Sequence, residues 1–134
     1  MDASDGQAYA EHTIRDGVVR VRYVGRMTPS MLISAREAFV ADPDFVPGMN
    51  FMADFTEGTL SEFSSDDLRR VGVHGRQIAL DWGPHRTAVV APSDVDYGLS
   101  RMFQMLGRRP GLTLHVFRDM TEAEAWLRED SPAA

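Results

Sequence analysis

Four pairs of residues stand at the ends of strand-like runs: Arg26 and Thr28, Asp54 and Phe55, Pro92 and Ser93, Arg118 and Asp119. Tyr97 and Arg101 follow Ser93 on a helical pattern. In open α/β sheets, ligands bind outside the carboxyl ends of the strands, so any chemistry would collect at these positions. Arg26 and Arg118 would grip an acidic group, Asp54 and Tyr97 would orient it, and Phe55 would supply an apolar wall. The candidate ligand- or partner-binding set is therefore Arg26, Asp54, Phe55, Ser93, Tyr97 and Arg118. A simpler use of the same side chains is the favoured one: Arg26 and Arg118 pair with Asp54 and Asp119 and hold the loops together.

Other chemistry is limited by residue type. The chain has no cysteine, and all 14 of its basic residues are arginine. That excludes thiolate nucleophiles, cysteine metal sites, Schiff-base lysines and the lysine of a P-loop. His12, His74, His85 and His115 have no helical i, i+4 or His-x-His partner, so no metal motif is present. His85 precedes a strand that Ser93 follows. About five residues at ~3.3 Å each separate the two by roughly 17 Å, too far for a dyad. His115 reads as a surface or interface histidine. No glycine-rich phosphate turn occurs, and the helix starts carry Asp66–Asp67, Asp94 with Asp96, and Glu122 with Glu124. Carboxylates thus already hold the positive helix ends that a phosphate would seek. No cofactor is expected. A net charge of −6 argues against nucleic acid or an anionic membrane as the main partner. Arg69–Arg70 and Arg108–Arg109 read as solvated helix faces or ends. Most of the eight methionines read as core filling.

The elements that would position these residues follow from periodicity. With 134 residues, 43% of them hydrophobic, one domain over residues 1–134 has enough chain for a core. Residues 1–8 and 129–134 are small and polar and read as frayed ends. Tyr9 to Arg15 and Val18 to Val24 flank Asp16–Gly17, a strong hairpin signal. Thr28–Pro29 caps a helix that runs to about Ala41. Asn50 to Phe55 is a strand, and Thr56 to Phe63 a loop in which Leu60 and Phe63 either tuck under or cap something. Ser64 with Asp67 opens a helix carrying Leu68, Val71, Gly75, Ile78 and Trp82. Thr87 to Ala91 is a strand. Ser93 with Asp96 then opens a helix on Val95, Leu99, Met102, Phe103 and Leu106, with Gly98 expected to pack closely on the sheet. Leu112 to Phe117 is the last strand, and Thr121 with Glu124 caps a short final helix.

The order is thus β-β-α-β-α-β-α-β-α. It implies an α/β fold with a five-stranded, mostly parallel sheet, an antiparallel N-terminal hairpin strand, and helices mainly on one face. The other face, lined by Val18, Arg20, Arg22, Val24, His115 and Phe117, is expected to be partly bare and to support a homodimer; the alternative is that the N-terminal segment or the final helix folds over it. With no signal-peptide pattern and no long apolar run, the expected location is cytoplasmic, with no membrane insertion.

The stretches VRYVGRMTPSM (Val21 to Met31), ADPDFVPGMNFMADF (Ala41 to Phe55), HRTAVVAPSDVDYGLSRMFQML (His85 to Leu106) and HVFRDMTEAEAWL (His115 to Leu127) together resemble the SpoIIAA-like family of the STAS fold. The resemblance implies a single-layer β–α superhelix, also shared with Sec14-type lipid-transfer domains, and it implies no activity. The expected role is a non-enzymatic regulatory or protein-interaction module; the alternative is a carrier or sensor of a small apolar or acidic-headed, lipid-like ligand. Anti-sigma-factor antagonists of the wider fold carry a phosphorylatable serine in an Asp-Ser-Ser-Gly turn after the third strand. Here that place reads Asp54-Phe55-Thr56-Glu57-Gly58, with Thr56 the nearest hydroxyl and Glu57 opposing an added phosphate.

Overall fold

The two-residue turn Asp16–Gly17 has positive φ at both positions, 54° and 77°, which matches the twist of the strands it joins. It closes the hairpin of β1 (Tyr9–Arg15) and β2 (Val18–Arg26). The computed structural model, which describes residues 8–129, continues with α1 (Pro29–Val40), β3 (Asn50–Thr59), α2 (Ser65–Gln77), α3 (Ala79–Trp82), β4 (His85–Val90), α4 (Asp94–Leu106), β5 (Leu112–Phe117) and α5 (Met120–Arg128). The strands lie in sequential order; β1 is antiparallel to β2 and all other pairs are parallel. The expectation for the chain ends falls outside the described residues except at Ala8, which packs on the core, and Glu129.

Alternation along the strands creates two cores. Val19, Val21 and Tyr23 of β2, Phe51, Ala53 and Phe55 of β3, Val89 of β4 and Leu114 of β5 meet Phe39, Leu68, Val71 and Trp82 in the larger one. Leu60 and Phe63 tuck into this core as well. On the opposite face, Met52, Ala88 and Val90 meet Ala123 and Leu127 of α5, with Val18, Phe117, Met120 and Trp126 at the edge. Helices α1, α2 and α4 thus cover one face and α5 alone packs on the other, over β4 and β5. The face expected to be bare is therefore half covered: Trp126 stacks on His115 at 4.5 Å and lies against Phe117 at 5.7 Å.

Local departures from the sequence reading have local causes. β3 runs to Thr59 where a loop was expected, because its last residues still pair with β2. The helix expected through Trp82 is interrupted at Ile78, although Ile78 and Trp82 still donate to the carbonyls of His74 and Ile78. Asp119, not Thr121, caps α5, accepting from the Glu122 amide. Gly98 is exposed with nothing within 4 Å of where a Cβ would stand, so it does not pack on the sheet. Val95, Met102 and Met105 are exposed, whereas Met27 and Met52 are buried. Among the described residues no helix is long and apolar enough to cross a membrane.

Candidate functional site

The register of β2 against β3 shifts between Arg22–Asp54 and Val24–Glu57, so Phe55 and Thr56 together face Tyr23. This is a bulge of one residue, and Asp54 pins it. One of its oxygens, Oδ1, accepts from both the Thr56 amide (2.9 Å) and the Thr56 hydroxyl (2.7 Å). The other, Oδ2, faces Arg20 at 3.4 Å, and Arg20 also reaches Glu124 of α5. Thr56 lies within the strand, not in a turn. Strand alternation, continued from Met52 and Ala53, puts Asp54 on the α5 face and Phe55 on the opposite one, where Phe55 stacks on Tyr23 at 4.5 Å.

A second cluster joins β3 to the start of α4. Asp96, 3% exposed, accepts from the Ser93 hydroxyl, the Thr59 hydroxyl and the Leu60 amide, while Ser93 accepts the Asp96 amide. The capping box expected here is thus half built: Asp96 bonds the Ser93 side chain and β3 rather than the Ser93 amide. Beside it, Arg118 lies over the Tyr97 ring at 4.3 Å, donates to Asp94 at 2.8 Å and reaches the Pro92 carbonyl. Ser93, Tyr97 and Arg118 therefore come together. Asp54 and Phe55 point to opposite faces, and Arg26 is exposed beside Thr59 without an ion-pair partner among the described residues. Neither Arg118 nor Arg26 pairs with Asp54 or Asp119: Arg20 holds Asp54, Asp94 holds Arg118, and Asp119 is used as the α5 cap.

The sequence reading missed a third cluster, inside the larger core. A cavity of about 60 Å³ lies between the sheet and α1, α2 and α4, lined among others by Arg36, Phe55, Trp82, Ser100, Phe103 and Arg109. Arg36 is 8% exposed. Its Nη1 donates to the Val71 carbonyl (2.9 Å) and to His74 Nδ1 (3.1 Å). A guanidinium has no lone pair to offer, so His74 is neutral with its proton on Nε2. Burial, followed by the charge of Arg36, holds the His74 pKa below its ordinary value. Burial brings Arg36 itself down to about 10, which leaves it charged at neutral pH, and it raises the Tyr23 phenol. Trp82 collects both guanidiniums, with Arg36 4.9 Å and Arg109 4.8 Å from its ring, and stacks on His85 at 4.3 Å. Arg109 is thus not the solvated residue expected of the Arg108–Arg109 pair; only Arg108 is exposed. The sequence held one clue. Arg36 occupies the i+4 place of the apolar stripe Leu32, Ala35, Phe39, Val40.

The architecture that frames these clusters, a sequentially ordered sheet with a leading hairpin and one helix on the far face, is the SpoIIAA-like fold. The chain is similar to several solved structures, two of which are as follows. One is an uncharacterized DUF3478-family protein with a SpoIIAA-like fold from Shewanella loihica PV-4: 16% identity, 90% of this chain and 93% of that one covered, TM-score 0.55. The other is an anti-sigma factor antagonist from Mycobacterium paratuberculosis: 18% identity, 96% and 100% covered, TM-score 0.57. No protein-family model matches the chain, and no curated protein matches it.

Proposed function

We propose that the chain is a non-enzymatic regulatory module of STAS type that works by binding a protein, a second copy of itself included. The observation that carries this reading is the outward face of α4. Val95, Met102 and Met105 are 57, 42 and 73% exposed and fall at i, i+7 and i+10, on one side of the helix. Gly98, at i+3, leaves bare backbone in the middle of that stripe. An apolar stripe of this kind is an anchor for a partner, and methionine adapts to varied surfaces. At its N-terminal end Ser93, Tyr97 and Arg118 supply a polar rim, as interfaces have. The likeness in fold to an anti-sigma factor antagonist supports the same reading. So does the use of the nearest nucleophile and base: Ser93 is held by Asp96, and His85 by Gly83 and Thr87.

The double variant Met102→Glu, Met105→Glu tests the proposal, because both side chains are exposed and the fold does not need them. Proteins captured from a lysate by the parent chain and lost with the variant support the α4 contact. Identical capture by both counts against it.

A further inference from the structure

Among the described residues that line the interior cavity are two arginines and no acid. Among the described residues neither Arg36 nor Arg109 has a carboxylate partner. A charge removed from water is costly unless paired; this bears on Arg36, which is buried, and in part on Arg109, which is half-buried, and the Trp82 ring offsets part of the cost without supplying hydrogen-bond acceptors. Two further donors of the same lining have no partner among the described residues: Ser100 Oγ and Trp82 Nε1, in residues 3% and 2% exposed. Gly75 allows the guanidiniums to converge. A Cβ there would stand 2.9 Å from Nη1 of Arg109 and 3.5 Å from Nη1 of Arg36. The remaining wall is mainly apolar, with Phe55, Leu60, Leu68 and Phe103.

Arg36 Nη1 already gives its protons to Val71 and His74, so the remaining N–H groups of Arg36 and those of Arg109 are the donors that fit a carboxylate. The orphan hydroxyl and indole N–H belong to residues of the same lining, and the apolar walls fit hydrocarbon. The accessible space of about 60 Å³ is a few times the ~10–15 Å³ that one water needs on the same measure, so it suits a ligand of a few heavy atoms. We propose that this cavity binds a short-chain monocarboxylate, its carboxylate on Arg36 and Arg109 and its alkyl end against Phe55 and Phe103. An inorganic anion would meet the charge and leave the apolar end unfilled.

The test titrates acetate, propionate and butyrate against sodium chloride and sodium phosphate at constant ionic strength. It follows the unfolding temperature and the carboxylate carbon resonance. The expected result is a saturable rise in unfolding temperature with the alkyl carboxylates and none with the inorganic salts. Arg109→Gln weakens binding roughly tenfold or more, since a charged hydrogen-bonding partner is lost. Gly75→Ala weakens it as well. That variant folds, because it trades a helical glycine for the best helix former and displaces only the flexible end of Arg109. Cooperative unfolding of both variants without ligand separates loss of the site from loss of the fold. The absence of a saturable effect, full binding by Arg109→Gln, or equal binding of phosphate would overturn the proposal. It is independent of the α4 contact: Met102→Glu, Met105→Glu leaves carboxylate binding unchanged.

Discussion

His85 gives the chain a marked pH dependence. Burial, opposed only in part by the Gly83 carbonyl, brings its imidazole from 6.5 down to about 4. The unfolded chain therefore takes up a proton as pH falls below about 6.5, and the folded chain does so only near 4. Stability is complete above that window and is lost as pH falls through it, by on the order of 3 kcal/mol. His74, lowered by burial and by Arg36, acts in the same direction. Asp42, lowered by the Asp44 amide and by His12, adds a further loss as pH falls through its folded value. Urea midpoints between pH 7 and pH 4 should decline for the parent chain and decline less steeply for His85→Phe, which keeps an aromatic ring on Trp82. At Thr56, the hydroxyl is already given to Asp54. Thr56→Ala should cost about 1 kcal/mol, the net worth of one hydrogen bond, and Thr56→Ala and Thr56→Glu should capture partners equally. A loss of capture confined to the Glu variant would instead reveal a phosphate switch. The role of Asp54 in a bulge was not legible in the sequence, because a bulge depends on how the neighbouring strand is paired. Arg36 was legible as an anomaly, a charge within an apolar stripe, but its partners Trp82 and Arg109 come from distant segments.

The caps that begin α1, α2 and α4 were legible because capping is settled within four residues: Thr28, Ser64 and Ser93 each accept the amide three positions on. The start of α5 was ambiguous for the same reason. Asp119 with Glu122 and Thr121 with Glu124 are both capping patterns, and local sequence does not choose between them. The outward placement of Val95, Met102 and Met105 was hidden as well, since periodicity locates an apolar stripe without saying how wide a strip the sheet covers. Two glycines show how context decides an element's tolerance. Gly98, exposed within α4, should gain about 0.5–1 kcal/mol on replacement by Ala. Gly83, at φ 80°, would place a Cβ 2.6 Å from the Gly48 amide nitrogen, so Gly83→Ala should lower stability. Urea midpoints moving in opposite directions would bear this out; a stabilised Gly83→Ala would contradict the close approach of the loop before β3 to the turn before β4.

The order of the sheet was legible because right-handed crossovers leave few ways to string parallel strands through successive helices. The placement of α5 was not, because the crossover rule applies only to a helix that joins two parallel strands, and among the described residues α5 joins none. Its apolar side, Ala123 and Leu127, was visible in the sequence, and the sheet face it would choose was not. That choice leaves a groove of about 410 Å³ between the hairpin and α5, with Val18, Met52 and Leu127 on its floor and Arg15, Arg20 and Arg128 near Asp16 and Glu124. A rim of both signs is self-complementary under a two-fold axis, each chain's arginines meeting the other's carboxylates. We accordingly propose the homodimer through this open half of the second face, and a different partner on α4. Sedimentation over a range of concentrations should show dimer in the micromolar range, weakened by salt. Arg15→Glu should shift it to monomer, and Met105→Glu should leave it intact. If Met105→Glu dissociates the dimer and Arg15→Glu does not, self-association uses α4 instead. A monomer persisting into the high micromolar range would sink the dimer on either face, and the hairpin's arginines would then serve only to hold the edge of the sheet.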